Sequence, residues 1–248
     1  MRKRLASFYA GEMYADDRAG PSARIVVPML VELIRPSSVL DLGCGRGAWL
    51  SAFIANGIEK FVGLDGEYIP PSTLLFPADR FRPINLSARF ELPPDRFDLA
   101  ICLEVAEHLP ARNSRHLVQQ LTSAAPQVLF SAAPPGQSGG GHINCQPLSY
   151  WREVFAEFGF RMLDPFRAKL RDESRVAWWY RQNMVLFVSP AAIAANPALA
   201  KCAEVTPGLE SEWVYMWTAG QQFWPATGER RLTRRVLLRA SKLLRLTS

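Results

Sequence analysis

Val39-Leu40-Asp41-Leu42-Gly43-Cys44-Gly45-Arg46-Gly47 is the stretch on which the fold turns. Four residues of short apolar strand run into three glycines in alternate positions. Ala48 to Asn56 then reads as a helix that Gly57 ends. A buried strand that breaks on glycine and re-enters a helix presents backbone N–H groups with no Cβ in the way, a surface that accepts a close ligand. The next apolar run, Lys60 to Leu64, is a second strand ending at Asp65-Gly66. A carboxylate there can accept from two adjacent ribose hydroxyls, which an amide or hydroxyl cannot do as well.

Working outward, Ser22 is placed to cap a helix through Val26, Val27, Leu30, Leu33 and Ile34, stopped by Pro36. Residues 67–96 are rich in proline and read as loop, with a short strand near Phe81 to Ile84. Phe97 to Leu103 is a buried strand, Ala111 to Ala124 a helix, and Gln127 to Ser131 a strand. Ser149 to Phe158 is a helix closed by Gly159. Phe160 to Leu163 and Met184 to Val188 complete the pattern. Strands alternating with helices define an α/β domain. Alanines and prolines after Pro190 place a boundary there, giving a domain over 1–190 and a C-terminal extension over 191–248.

The formal charge of +6 is carried by the last twenty residues, because Glu229 to Ser248 holds seven Arg or Lys against one Glu. The body is neutral, which argues against nucleic-acid binding. In the tail, Arg230, Arg231, Arg234, Arg235, Lys242 and Arg245 group on one side of a helical wheel. Leu232, Val236, Leu237, Leu243 and Leu244 group on the other. A basic amphipathic helix suits an anionic membrane surface or a protein partner, and equally a packed helix on its own domain. No run of apolar residues is long enough to span a membrane, and no signal-type core follows Arg2-Lys3-Arg4. The expected location is the cytoplasm, with the tail able to hold the protein at the inner face of the membrane. Cys44, Cys102, Cys145 and Cys202 lack the spacing of a zinc or redox pair and read as free thiols. With only His108, His116 and His142 besides, no metal site is expected.

Gly43, Gly45 and Ala48 also satisfy the dinucleotide fingerprint, so the turn alone leaves a nicotinamide-type cofactor open. Asp41 within D-x-G-x-G-x-G, together with Phe97-Asp98-Leu99-Ala100-Ile101-Cys102-Leu103-Glu104-Val105-Ala106-Glu107-His108-Leu109, decides between them. In that order the two segments resemble the class I S-adenosylmethionine-dependent methyltransferases over about residues 22–189. The resemblance implies a Rossmann-like, mostly parallel seven-stranded sheet with helices on both faces and an antiparallel last strand, followed here by a helical extension. It implies that Gly43 and Gly45 hold the methionine end of S-adenosylmethionine, with Asp41 orienting the turn or reaching the amino group through water. Asp65, with Gly66 beside it, would take the ribose. Asn85 and Leu86 would lie at the adenine, and Leu103 and Glu104 would close over the cofactor. The product would be S-adenosylhomocysteine. Ser131-Ala132-Ala133-Pro134-Pro135-Gly136-Gln137, Gly141-His142-Ile143-Asn144, Tyr150-Trp151 and Trp179-Tyr180-Arg181-Gln182-Asn183 resemble a bacterial branch associated with polysaccharide and glycoconjugate biosynthesis.

The expected acceptor is therefore a sugar hydroxyl of a glycan or its precursor. The alternatives are another small hydroxylated metabolite, such as a quinone precursor, and a binding module without catalysis. A hydroxyl acceptor profits from a base. His142 is the first candidate, in a loop after the fifth strand with Gly139-Gly140-Gly141 as a hinge. His108, just past the fourth strand, is the second. Asn144, Tyr180, Arg181 and Asn183 are expected to line the acceptor side. His116 reads as a solvated residue on its helix.

Overall fold

The computed structural model describes residues 18–92 and 94–202, and the basic tail lies outside the described residues. The elements in chain order are α1 (Ala19–Ile34), β1 (Ser38–Leu42), α2 (Ala48–Ala55), β2 (Lys60–Asp65), β3 (Phe81–Pro83) and β4 (Leu99–Leu103). Then follow α3 (Ser114–Ala124), β5 (Gln127–Ser131), α4 (Leu148–Ala156), β6 (Arg161–Leu163), α5 (Arg167–Leu170), α6 (Trp178–Asn183), β7 (Val185–Val188), α7 (Pro190–Ala195) and α8 (Pro197–Ala200). One sheet takes the order β3-β2-β1-β4-β5-β7-β6. Pairing is parallel from β3 through β5, while β7 runs antiparallel to both β5 and β6. The expected seven-stranded, mostly parallel sheet is thus present.

Every residue of β1, β4, β5 and β7 is buried, because helices cover both faces of the sheet. Side chains alternate between two cores. Val39, Leu99, Ile101, Leu129 and Leu186 pack with α1 and α2, whereas Leu40, Ala100, Val128, Phe130 and Phe187 pack with α3 and α4. In the second core Phe155 and Phe187 stack at 3.7 Å between centroids, with the Phe130 ring set across both. Such aromatic contacts add about 0.5–1.5 kcal/mol beyond their buried area.

Two local expectations change. Ser22 sits inside α1 rather than capping it. Its hydroxyl donates to Arg18 O at 2.6 Å and accepts from Ala177 N at 2.9 Å, tying α1 to the segment before α6. The helix ends on Arg35 in the left-handed region, whose N–H returns to Val31 O. His116 is not merely solvated on α3, since its Nε2 lies 2.6 Å from Phe90 O and its ring meets Phe90 edge-on.

Beyond residue 190 the described chain stays on this unit. Asn196 Nδ2 donates to Leu33 O at 2.9 Å and Leu199 is buried. No helix among the described residues is long and apolar enough to cross a membrane.

Candidate active site

The strand order reverses between β1 and β4, since β1 leads to β2 on one side and β4 to β5 on the other. In open α/β sheets ligands bind at such a point, beyond the carboxyl ends of the strands. Two structures face it, one made by backbone and one by side chains. A surface depression of about 730 Å³ lies at the other ends of the strands, lined by residues such as Arg35, Gln127 and Asn196. It holds none of the candidate residues.

The first structure is the glycine turn. Gly43, Gly45 and Gly47 have φ of 81°, 53° and 87°, a region that other residues enter at a cost. Space excludes side chains as well. A Cβ at residue 43 would lie 2.3 Å from Val105 Cγ2, and one at residue 47 would lie 2.1 Å from Phe76 Cδ1. The amides of Gly43 and Cys44 donate to Leu64 O, and the Gly45 amide donates to Asp65 Oδ2 at 2.7 Å. The loop after β2 straps this turn from outside, with Arg46 Nε donating to Thr73 O and Leu75 N to Arg46 O.

Asp65 therefore does structural work in addition to whatever ligand it meets. Its Oδ1 accepts from Gly66 N at 2.6 Å and from the Tyr68 hydroxyl at 2.5 Å. The Tyr68 ring lies against Gly66, so closely that a Cβ on residue 66 would sit 2.0 Å from it. Burial pushes the Asp65 carboxyl up, while the donors from Tyr68, Gly66 and Gly45 oppose that. Asp41, on β1, is 3% exposed, and its Oδ2 has no hydrogen-bond partner. Burial first, and then the charge of Asp65, raise its carboxyl well above the usual range. Leu86 is buried, whereas Asn85 is exposed and caps its own turn by accepting from Ser87 N at 3.1 Å.

The second structure begins where β4 ends. Leu103 is buried, and Glu104 takes φ of 55°, a left-handed conformation of the kind that costs of order 1–3 kcal/mol and gathers at functional sites. Its amide is held by Ser131 O at 2.9 Å and Ser131 Oγ at 3.1 Å. Its carboxylate accepts from Gln137 Nε2 at 3.0 Å and Asn183 Nδ2 at 3.1 Å. Glu107 is fully buried, and neither of its carboxyl oxygens has a hydrogen-bond partner. Burial and the neighbouring Glu104 drive its carboxyl well up.

The loop after β5 folds back onto this turn. Ile143 N and Asn144 N both donate to Glu107 O, at 2.8 and 3.0 Å. That docking sets the His142 ring edge-on to the His108 ring, 4.9 Å between centroids. His142 Nδ1 lies 3.2 Å from Gln137 O, and His108 Nδ1 lies 3.3 Å from Gly141 O. A carbonyl only accepts, so each Nδ1 carries the proton and each Nε2 the lone pair. Burial, followed by the His142 ring, lowers His108 to about 4. One ligand atom each from Glu107, His108 and His142 fall within 4.8 Å of one another. The sequence reading expected no metal site. The fold brings these three side chains together, because residues 107 and 142 meet when the loop docks.

The acceptor-side candidates make bonds within the protein. Asn144 is buried, and its Nδ2 donates to Ala106 O at 3.2 Å and Ser114 Oγ at 3.1 Å, while its Oδ1 accepts from Gln146. It anchors the loop that carries His142. Asn183 is buried and joins Glu104 to Gln137 Oε1 at 2.9 Å. Tyr180 is buried against Trp49, and burial raises its phenol. Arg181 Nη1 donates to Arg171 O at 2.9 Å. Asn144, Tyr180 and Asn183 are thus buried and bonded within the protein, while Arg181 is part-exposed. Gln137, Glu107 and Tyr68 were missed by the sequence reading. Glu107 alone carried a signal, standing next to His108 after a buried strand.

A methyltransferase domain model matches residues 14–164. The curated relatives include the ubiquinone biosynthesis O-methyltransferases of Pseudomonas entomophila (strain L48) and Pseudomonas putida (strain GB-1). Each is 29% identical over 152 residues, covering 56% of this chain and 61% of the relative. The chain thus spans less than two thirds of the length of the relatives it matches. Among solved structures, magnesium protoporphyrin IX methyltransferase from Synechocystis PCC 6803 with bound SAM superposes with a TM-score of 0.52 at 16% identity, covering 73% of this chain and 88% of that one. An O-methyltransferase family protein from Burkholderia thailandensis gives 0.50 at 13% identity, covering 74% and 62%. At those identities the likeness is one of fold.

Proposed function

The chain belongs to the methyltransferase domain family, and from that premise we propose that it uses S-adenosylmethionine to methylate a hydroxyl oxygen of a small acceptor or glycan precursor. The observation that carries the reading is the glycine turn strapped against Asp65 at the switch point of the sheet. The residues fit such a cofactor. Asp41 keeps a buried oxygen with no partner beside the turn, a place for an amino group or a bridging water. Asp65 stands where a ribose would be held, once the Tyr68 hydroxyl yields its place. Leu86 and Leu103, both buried, and Glu104 at the end of β4 would bound the same crevice. When bound, the cofactor supplies an already activated methyl group, and S-adenosylhomocysteine is the product.

The protein's part is then alignment and handling of the acceptor proton. Alignment alone can supply roughly 7–11 kcal/mol in well-oriented systems. His142 offers Nε2 as proton acceptor, because Gln137 O holds the proton on Nδ1. Glu104, fixed by Gln137 and Asn183, closes the floor. As to the acceptor, a sugar hydroxyl is the first reading, since Trp178 and Trp179 remain part-exposed near Asn183. A phenolic quinone precursor is the second, favoured by the named activity of the curated relatives and by Ile143, 65% exposed beside His142.

Calorimetry with S-adenosylmethionine tests the cofactor, and product release across sugar and phenol panels tests the acceptor. His142→Ala is expected to lower turnover by about a hundredfold while cofactor affinity is unchanged. Normal turnover in that variant removes the assigned role.

A further inference from the structure

We propose that Glu107, His108 and His142 form a site for one divalent transition-metal ion, set beside the cofactor crevice. The inference rests on the methyl-transfer reading for its purpose but not for its existence.

The ligand set comes first. Two imidazoles and one carboxylate bring a ligand atom each to within 4.8 Å of the others. Atoms bound at about 2.1 Å to a common ion lie roughly 3–4 Å apart, so modest side-chain rotation closes the set. The second observation is Glu107 itself. It is fully buried, and both of its oxygens lack a hydrogen-bond partner. Leaving a buried carboxyl in that state is expensive unless something positive meets it. No Lys or Arg is paired with it among the described residues; Glu104, His108 and His142 stand beside it, with its own amide and that of Ala133 as the neutral donors nearby.

The surroundings have the form of a ligand support. The Nδ1 of His142 is held by Gln137 O, and the Nδ1 of His108 faces Gly141 O. Metal-binding histidines are ordinarily oriented by such a bond on the other nitrogen. The loop is fixed by two amides on Glu107 O and by Asn144 on Ala106 O and Ser114 Oγ. A Cβ on residue 139 would lie 2.2 Å from His142 Nε2, so the ring takes its place because residue 139 is glycine. Glu104 stands next in line, with its oxygens steadied by Gln137 and Asn183.

Mixed imidazole and carboxylate ligation suits Mn²⁺, Co²⁺ or Zn²⁺ better than Ca²⁺. Three protein ligands leave coordination positions for an exogenous oxygen, and a bound hydroxyl loses its proton more readily. On this view His142 is a ligand instead of the base, and the substrate class is a hydroxyl able to reach a cation.

The test uses the full chain, stripped with chelator and titrated in turn with MnCl₂, CoCl₂ and ZnCl₂ by calorimetry. One ion per chain is expected, together with Co²⁺ visible bands and, for Mn²⁺, spin-echo couplings to two imidazole nitrogens in the unmodified protein. Glu107→Gln and His142→Ala are expected to weaken affinity at least tenfold, and His116→Ala, outside the cluster, to leave it alone. Absence of binding by all three ions, binding without nitrogen coupling, or equal affinity in the cluster variants overturns the site. Full turnover by stripped protein in chelator overturns its part in catalysis and returns His142 to the base. Cofactor heat is measured on the same stripped sample, so failure of the metal site and failure of the methyl-transfer reading give separate signatures.

Discussion

The two halves of the crevice are built in opposite ways. The glycine turn is backbone: five consecutive residues, shaped by φ and held by amide bonds to Leu64 O and Asp65. The other half is side chain: Glu104, Glu107, His108, Gln137, His142 and Asn183 converge from β4, the loop after β5 and α6. The first tolerates almost no change in covalent shape, because the missing Cβ at residues 43 and 47 is a space already filled and Gly45 sits at a positive φ. The second tolerates changes of shape but not of charge or hydrogen bonding, because its groups are buried and depend on one another.

The largest effect is expected from Gly47→Ala. A left-handed alanine with its Cβ 2.1 Å from the Phe76 ring should cost about 3 kcal/mol or more in urea unfolding and abolish cofactor heat. Mild loss would mean that the turn is softer than its packing shows. In the side-chain half, Asn183→Ala removes donors to Glu104 and Gln137 and should cost about 2 kcal/mol. Turnover should fall with cofactor affinity retained, and a drop in affinity of the same size would merge the two halves into one.

Asp41 separates them by pH. Its folded carboxyl is raised by burial and Asp65, so its contribution to stability is complete below the unfolded value near ~3.9 and is lost as pH rises through the folded one. Asp41→Asn lacks that loss. The difference between wild type and variant should therefore grow with pH, by at most about 1.4 kcal/mol per unit. Parallel pH profiles in thermal unfolding would contradict it. The smallest effect is expected from Tyr68→Phe. Removing the hydroxyl that occupies Asp65 Oδ1 should tighten S-adenosylmethionine severalfold, on the order of 1 kcal/mol, and weaker binding would show that the hydroxyl serves the ligand.

Legibility followed the same division. Strands β1, β2, β4, β5 and β7 stand out because they are buried on both faces over nearly their whole length and read as mostly apolar runs, with Asp41 the interruption in β1. The turn stood out because its requirements are local, each glycine answering a φ or a contact within its own neighbourhood. Asn144 reads as an acceptor residue from its place two positions after His142, and Tyr180 and Asn183 from theirs among aromatics before β7, and the fold buries all three. A polar side chain that will satisfy another buried group has no local mark. His116 shows this on a small scale, since Phe90 O lies twenty-six positions away.

By itself the sequence determined the α/β class, the strand–turn–helix at residue 43, the acidic end of β2 and the family resemblance. All of these rest on spacing within a few residues, which the chain carries wherever it folds. Only the tertiary structure decided that Asp65 braces the turn, that Tyr68 covers it, and that Glu107, His108 and His142 share one place. Those outcomes depend on a loop docking its amides on Glu107 O and on strands crossing to the switch point. Contacts between distant segments are set by the packing of the whole sheet and leave no period in the sequence.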